Sequence, residues 1–164
     1  MRYDFIGDIH GYAGLLEQIL FKLGYQPEGE SYVFHEEDCK VVFLGDYIDR
    51  GPQNRRVIEI VRSMTEKGRA IALMGNHEFN AICYHTPASS GNDYLRQHSS
   101  KNTKQHQAFL CEYQIDSDEL VDTISWFRSL PIWWEDLDVR AIHACWYEPA
   151  REFLLENGLA GQQG

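Results

Sequence analysis

The residues of this chain that could do chemistry fall into four short stretches. Asp8 and His10 lie in Gly7-Asp8-Ile9-His10-Gly11, and Asp46, Asp49 and Arg50 in Gly45-Asp46-Tyr47-Ile48-Asp49-Arg50-Gly51-Pro52. Asn76 and His77 lie in Gly75-Asn76-His77-Glu78, and His143 in Ala141-Ile142-His143-Ala144. Carboxylates, imidazoles and a carboxamide form a mixed oxygen and nitrogen donor set, which suits Mn, Fe, Zn or Ni. Two carboxylates brought to neighbouring loops repel each other unless a cation sits between them. A single carboxylate can also bridge two metals about 3.5 to 4 Å apart, the spacing of two-metal hydrolases. The flanking glycines remove side chains that would block the approach of a loop to such a site.

For these residues to act together, the fold must carry them to one place. Residues 3–6 read as a short strand that Gly7 ends. Tyr12, Leu15, Leu16, Ile19, Leu20 and Leu23 then recur at helical spacing up to Gly24. An edge strand is expected over 32–35. Residues 41–44 form a continuous apolar run, the signature of a strand covered on both faces. Pro52 opens a second helix with Val57, Ile58, Val61 and Met64 inward, ended by Gly68, and residues 70–74 read as a third strand closed by Gly75. Strands alternating with helices imply a parallel sheet in an α/β domain. In such sheets ligands bind beyond the carboxyl ends of the strands, where the first three stretches fall.

The rest of the chain is less regular. Residues 79–118 read as a polar insertion or cap over the sheet edge. Its Arg96, His98, Lys101, Lys104 and His106 are expected to form a solvated face. Asp116 with Glu119 reads as a capping box for a helix facing inward through Leu120, Ile124 and Phe127, stopped by Pro131. Residues 132–135 and 139–143 read as a hairpin around 136–138, with Trp133 and Trp134 split between core and surface. A final helix is expected over 149–157. Glu78 reads as a charge at a helix N-terminus, and Cys145 as a small buried residue.

The composition excludes several classes. A formal net charge of −10 over 164 residues argues against a general nucleic-acid binder. It does not exclude a phosphorylated substrate, because a bound metal supplies local positive charge. The four cysteines form no Cys-x-x-Cys pair and read as reduced thiols. No apolar run approaches the roughly 20 residues that span a bilayer, and the first residues lack the apolar stretch of a signal peptide. A single domain over 1–164, cytoplasmic and without a membrane partner, is the expectation; oligomeric state is not encoded in the sequence.

In order and in placement after strands, the four stretches resemble the motifs of the calcineurin-like metallophosphoesterases. They are most similar to the phosphoprotein phosphatase branch and its bacterial relatives, which include diadenosine tetraphosphatases. The resemblance runs over residues 3–147 and implies a four-layer α-β-β-α sandwich with a dinuclear site, manganese first among the candidate ions. It implies that Asp8 and His10 hold one metal, that Asp46 bridges, and that Asn76 and His143 hold the second. Arg50, with Asn76, would bind the substrate phosphate. His77 would be the general acid, oriented by Asp49, and a bridging hydroxide the nucleophile. The implied activity is hydrolysis of a phosphomonoester, phosphoprotein or nucleotide polyphosphate. One departure stands out: the family's later Gly-His motif has no counterpart, because no histidine follows His143. The last strands of the second sheet would be missing with it. Glu148 or water could replace that ligand, and Arg151 is a candidate second phosphate-binding arginine. The departure keeps open a second reading, a catalytically weak or inactive relative that binds metal and phosphate.

Overall fold

The computed structural model describes residues 1–35, 38–89, 91, 93–137, 139–158 and 162–163. The chain runs β1 (Arg2–Ile6), α1 (Ala13–Leu23), β2 (Gln26–Glu28), β3 (Ser31–Val33), β4 (Cys39–Phe43), α2 (Asn54–Glu66) and β5 (Ala70–Ala72). It continues through α3 (Asn76–Tyr84), α4 (Ser100–Glu112), α5 (Asp118–Ser129), β6 (Trp133–Glu135), β7 (Arg140–Ile142), α6 (Glu148–Glu156) and β8 (Gln162–Gln163). The apolar run expected to be a central strand is one: β4 pairs in parallel with β1 on one side and β5 on the other.

Alternation along β4 divides the core in two. Val41 and Phe43 join Ile6, Ala70 and Ala72 on the face covered by α1 and α2, where Leu16, Leu20, Val57, Val61 and Met64 are buried. Val42 points the other way, with Ile71 and Leu73, onto Trp134 and Ala141 of the second sheet, β7-β6-β8. Burial of a large aliphatic side chain contributes about 1.5–3 kcal/mol, so the double-sided burial of β4 makes it the mechanical centre of the molecule. Tyr3 edges onto Trp134 at 4.8 Å between ring centroids, and its hydroxyl donates to Asp136 at 2.6 Å, tying the two sheets together. Outside the second sheet α6 buries none of its residues and meets β6 through Arg151, 3.7 Å from Glu135. The layering is α-β-β-α. Among the described residues no helix is long and apolar enough to cross a membrane.

Four expectations are corrected. Residues 31–33 do not extend the main sheet: β3 pairs with β2 in a separate antiparallel ribbon. Both Trp133 and Trp134 are buried, because β6 is covered on both faces. Ser117, not Asp116, caps α5, its hydroxyl accepting from Leu120 N–H at 3.2 Å. The stretch expected to be a polar cap contains the end of α3 and the whole of α4, whose His106 and Phe109 are buried. The expected hairpin is present as β6 and β7; its turn position 138 lies outside the described residues.

Candidate active site

Each strand of the parallel sheet ends in a loop, and the loops are packed backbone against backbone. Asp46 C=O accepts from Ile9 and His10 N–H at 3.0 and 2.9 Å, Tyr47 C=O from Gly11 N–H at 2.7 Å, and His10 C=O from Gly51 N–H at 2.8 Å. The glycines permit this approach. A Cβ on Gly75 would fall 2.3 Å from Asp46 N, and one on Gly45 2.5 Å from Gly75 N. Gly7, by contrast, has open space around it. His10, Asp46, Asp49 and Arg50 all hold positive φ, between 49° and 70°. Such conformations cost about 1–3 kcal/mol each and persist only where the surroundings enforce them.

The side chains converge where the strands end. Asp46 is central: Oδ2 lies 3.7 Å from His10 Nε2 and 4.0 Å from His77 Nε2, and Oδ1 lies 3.5 Å from His143 Nε2. Asp8 Oδ2 is 3.5 Å from His10 Nε2. Donor atoms of His10, Asp46 and His77 form one group within 4.8 Å of one another, and those of Asp8, Asp46 and His143 form another. Asp46 belongs to both.

Tautomers are fixed from behind. His10 Nδ1–H donates to Ile48 C=O at 2.9 Å and His143 Nδ1–H to Leu44 C=O at 2.8 Å. Each ring thereby presents the Nε2 lone pair to the site, the arrangement that orients a metal-binding histidine. His10 Nε2 is buried and has no hydrogen-bond partner. His143 Nε2 faces Asn76 Oδ1 at 3.0 Å, two acceptors that come together comfortably only with a cation or proton between them. The donor set and its unpaired acceptors fit divalent transition metal ions.

Beside this centre Asp49, buried, accepts from His77 Nδ1 at 2.6 Å through one oxygen and from His106 Nδ1 at 2.9 Å through the other. Burial pushes the Asp49 carboxyl up, but the two histidine hydrogen bonds outweigh it and hold the group below its ordinary range. The Asp49 hydrogen bond raises His77, against burial, which works the other way. Arg50 is exposed at the rim between two cavities, one shared with His77, Lys101 and Lys104, the other with Asp8, His10 and Tyr12.

All eight residues singled out in the sequence therefore lie at or around one centre. Four further residues support it. Glu78 is fully buried at the start of α3 and accepts from Asp46 N–H at 2.9 Å, Tyr47 N–H at 2.8 Å and Gly75 N–H at 3.0 Å. Burial pushes its carboxyl up to about 7, and the backbone donors act in the opposite sense. It is a helix N-terminal acid, as its sequence position implies, but it also shapes the Asp46 loop. His106 was hidden in a basic stretch. Asn54 Oδ1 accepts from Asp49 N–H at 2.7 Å, and Glu112 of α4 accepts from the backbone N–H groups of Asn54 and Arg55 at 2.7 and 2.9 Å. The two remaining candidates are engaged elsewhere: Glu148 accepts from Arg151 and from Trp146 Nε1. Cys145 is exposed because β7 ends at Ile142.

Known proteins place this geometry in a family. The family model described as calcineurin-like phosphoesterase matches residues 1–160. Bis(5'-nucleosyl)-tetraphosphatase PrpE of Oceanobacillus iheyensis is 43% identical over 77 residues, covering 47% of this chain and 30% of that protein. The Bacillus subtilis protein of the same name is also 43% identical over 77 residues, covering 31% of its length. Among solved structures, a cold-active protein-tyrosine phosphatase of a psychrophile Shewanella species superposes with a TM-score of 0.58 at 20% identity, covering 97% of this chain and 46% of that one. A metallophosphoesterase from Sphaerobacter thermophilus gives 0.52 at 22% identity, over 83% and 45%. The chain spans less than half the length of these relatives. The match over residues 1–160 decides the assignment: the chain belongs to the calcineurin-like phosphoesterase family.

Proposed function

We propose that the chain is a metal-dependent phosphoric ester hydrolase whose site is dinuclear. The observation that carries this reading is Asp46, which belongs to both groups of convergent donor atoms. Asp8, His10 and Asp46 would hold one ion, and Asp46, Asn76 and His143 the other. His77, grouped by distance with His10 and Asp46, has its Nδ1 committed to Asp49 and is read as an acid, not a ligand. When bound, such ions supply Lewis acidity, polarising phosphoryl oxygens and lowering the pKa of water.

The chain's own residues would do the rest. Arg50 offers a planar fork of donors to the non-bridging oxygens and fixes the phosphoryl group. His77, charged through Asp49, gives the Nε2 proton to the leaving oxygen. Asp49 keeps the ring in the tautomer and orientation that this requires. Asn76 Nδ2 is available to the phosphate while Oδ1 faces His143. The similar proteins named above include a bis(5'-nucleosyl)-tetraphosphatase and a protein-tyrosine phosphatase; both chemistries are compatible with this arrangement.

Mn-dependent hydrolysis of para-nitrophenyl phosphate by this chain, beside Asp46→Asn, tests the reading. Activity in the wild type and its loss by about 100-fold or more in the variant is expected. A folded, metal-loaded wild type without turnover, binding one ion per chain, would instead establish a metal- and phosphate-binding module.

A further inference from the structure

We infer that His85 is a positioning residue of this site. Its Nε2–H donates to His106 Nε2 and fixes the His106 tautomer on which Asp49, and through it His77, depends. The inference deepens the hydrolase reading above and rests on it for the role of His77. The four side chains form a closed circuit. His77 Nδ1 lies 2.6 Å from Asp49 Oδ2, Asp49 Oδ1 lies 2.9 Å from His106 Nδ1, and His106 Nε2 lies 3.3 Å from His85 Nε2. His77 is the second residue of α3 and His85 its C-terminal cap, so the circuit leaves and re-enters the same helix.

Proton positions along the circuit follow from donor and acceptor chemistry. An ionised carboxylate only accepts, so His106 presents Nδ1–H to Asp49. Asp49 carries one negative charge and already faces His77. A second cation at His106 would be unbalanced. The ring is buried among Tyr84, His85 and Phe109, and the small cavity that it lines with Asp49 and His77 also contains Arg96. A neutral His106 bonded through Nδ1–H keeps a lone pair on Nε2. Two lone pairs facing each other at 3.3 Å repel, so the proton between the rings sits on His85 Nε2. His85 is itself neutral, pushed down to about 4 by burial and then by His106. Its remaining nitrogen is then an acceptor. His85 lines an outer cavity of about 180 Å³ with Asp116 and Arg128, room enough for a water to donate to it.

Stacking leaves the tautomer as the open variable. The His106 ring lies 18° from parallel to Phe109, 4.7 Å away, which fixes its plane. Stacking does not distinguish one ring nitrogen from the other. Without the His85 donor, the His106 proton is free to sit on Nε2, and Asp49 Oδ1 would then face a lone pair. The carboxylate would turn away, taking Oδ2 from His77. A side chain that touches neither metal nor substrate thereby holds the acid in line.

The test pairs His85→Gln, whose amide Nε2 replaces the ring donor, with His85→Leu, which cannot donate. With Mn present, kcat and KM are measured on para-nitrophenyl phosphate. His85→Leu is expected to lose about 10-fold in kcat with KM within about twofold, and His85→Gln to stay within about threefold of wild type. Equal losses in the two variants, or none in His85→Leu, overturn the inference. Nitrogen–proton correlation NMR on the isotope-labelled, metal-free chain reads the tautomers without turnover. In the wild type, His106 is expected to be protonated at Nδ1 alone and His85 at Nε2, and His85→Leu is expected to lose the single His106 tautomer. His106 protonated at Nε2 in the wild type, or an unchanged His106 tautomer in His85→Leu, overturns the inference. A wild type with the expected tautomers and no turnover counts against the hydrolase reading and leaves the circuit standing.

Discussion

His106 Nδ1 lies 2.9 Å from Asp49 Oδ1, on the carboxylate oxygen that His77 leaves free. His106 stacks on Phe109 at 4.7 Å between centroids and meets His85 Nε2 at 3.3 Å. Burial, then the neighbouring His106, push His85 down to about 4, so it is neutral at physiological pH. The orientation of His77 is thus determined two side chains away, by a helix that contributes no metal ligand.

His106→Ala removes a partner from a buried carboxylate oxygen. The cost to stability is about 2 kcal/mol. Because His77 loses its fixed orientation, kcat is expected to fall roughly 10- to 100-fold with KM little changed. Steady-state kinetics on para-nitrophenyl phosphate decides it; a rise in KM alone would show that His106 positions substrate instead.

The glycines give a sharper contrast. Gly75→Ala would place a methyl 2.3 Å from Asp46 N, while at Gly7 a Cβ meets nothing within 4 Å. We expect Gly75→Ala to cost about 3 kcal/mol and to abolish Mn binding. Gly7→Ala should stay within about 0.5 kcal/mol of wild type. Denaturant titration of both variants reads the difference, and equal behaviour would refute the close-packed loop account.

Tyr3 and Asp136 make stability depend on pH at both extremes. The hydrogen bond to Asp136 raises Tyr3 from 10.0 to about 12, and the same bond lowers Asp136 from 3.8. A raised acid keeps its proton in the folded state, so the Tyr3 contribution is full below pH 10 and lost as pH climbs towards 12. Asp136, depressed, contributes above its unfolded value and loses that contribution as pH falls through the folded one. Tyr3→Phe should flatten both limbs of the Tm-versus-pH curve. Parallel curves for the two proteins would sink the assignment.

Metal removal should be visible without any substrate. The unpaired acceptors of His10, His143 and Asn76 are relieved by a cation, so ions bind the folded chain preferentially. At 100 times the dissociation constant, binding stabilises by about 2.7 kcal/mol, or roughly 5–10 °C in Tm at this size. Calorimetry with Mn and with a chelator measures it, and no shift counts against the metal centre.

The sequence made the sheet and its loops legible because two signals coincide there: apolar runs such as Val41–Leu44, and glycines followed at once by ligand-type residues. Helix α4 was illegible. Its buried residues are His106 and Phe109, too few to create a periodic apolar stripe, and it is held by polar contacts across the chain. His106 and Glu112 act through residues more than fifty positions away, and no local pattern announces such a partner. Glu78 did leave a trace, three residues after Gly75 at a helix start, but its three backbone partners depend on the β4 loop folding back over it. Trp133 was misread because period-two alternation presumes one exposed face.

Glu112 reaches across 58 residues to the first amides of α2. Helix ends leave such groups unsatisfied until something arrives, so the opening turn of α2 cannot close its hydrogen bonds from its own neighbourhood. The sheet and the body of α2 draw on nearby chain, whereas Asn54 and Asp49, each held by a side chain of α4, are expected to take their final places only when α4 docks. Amide exchange at Asn54 and Arg55 should therefore report that docking event, opening more readily than the centre of the same helix. The loop bearing Asp49 and Arg50 is lent its shape by a distant segment.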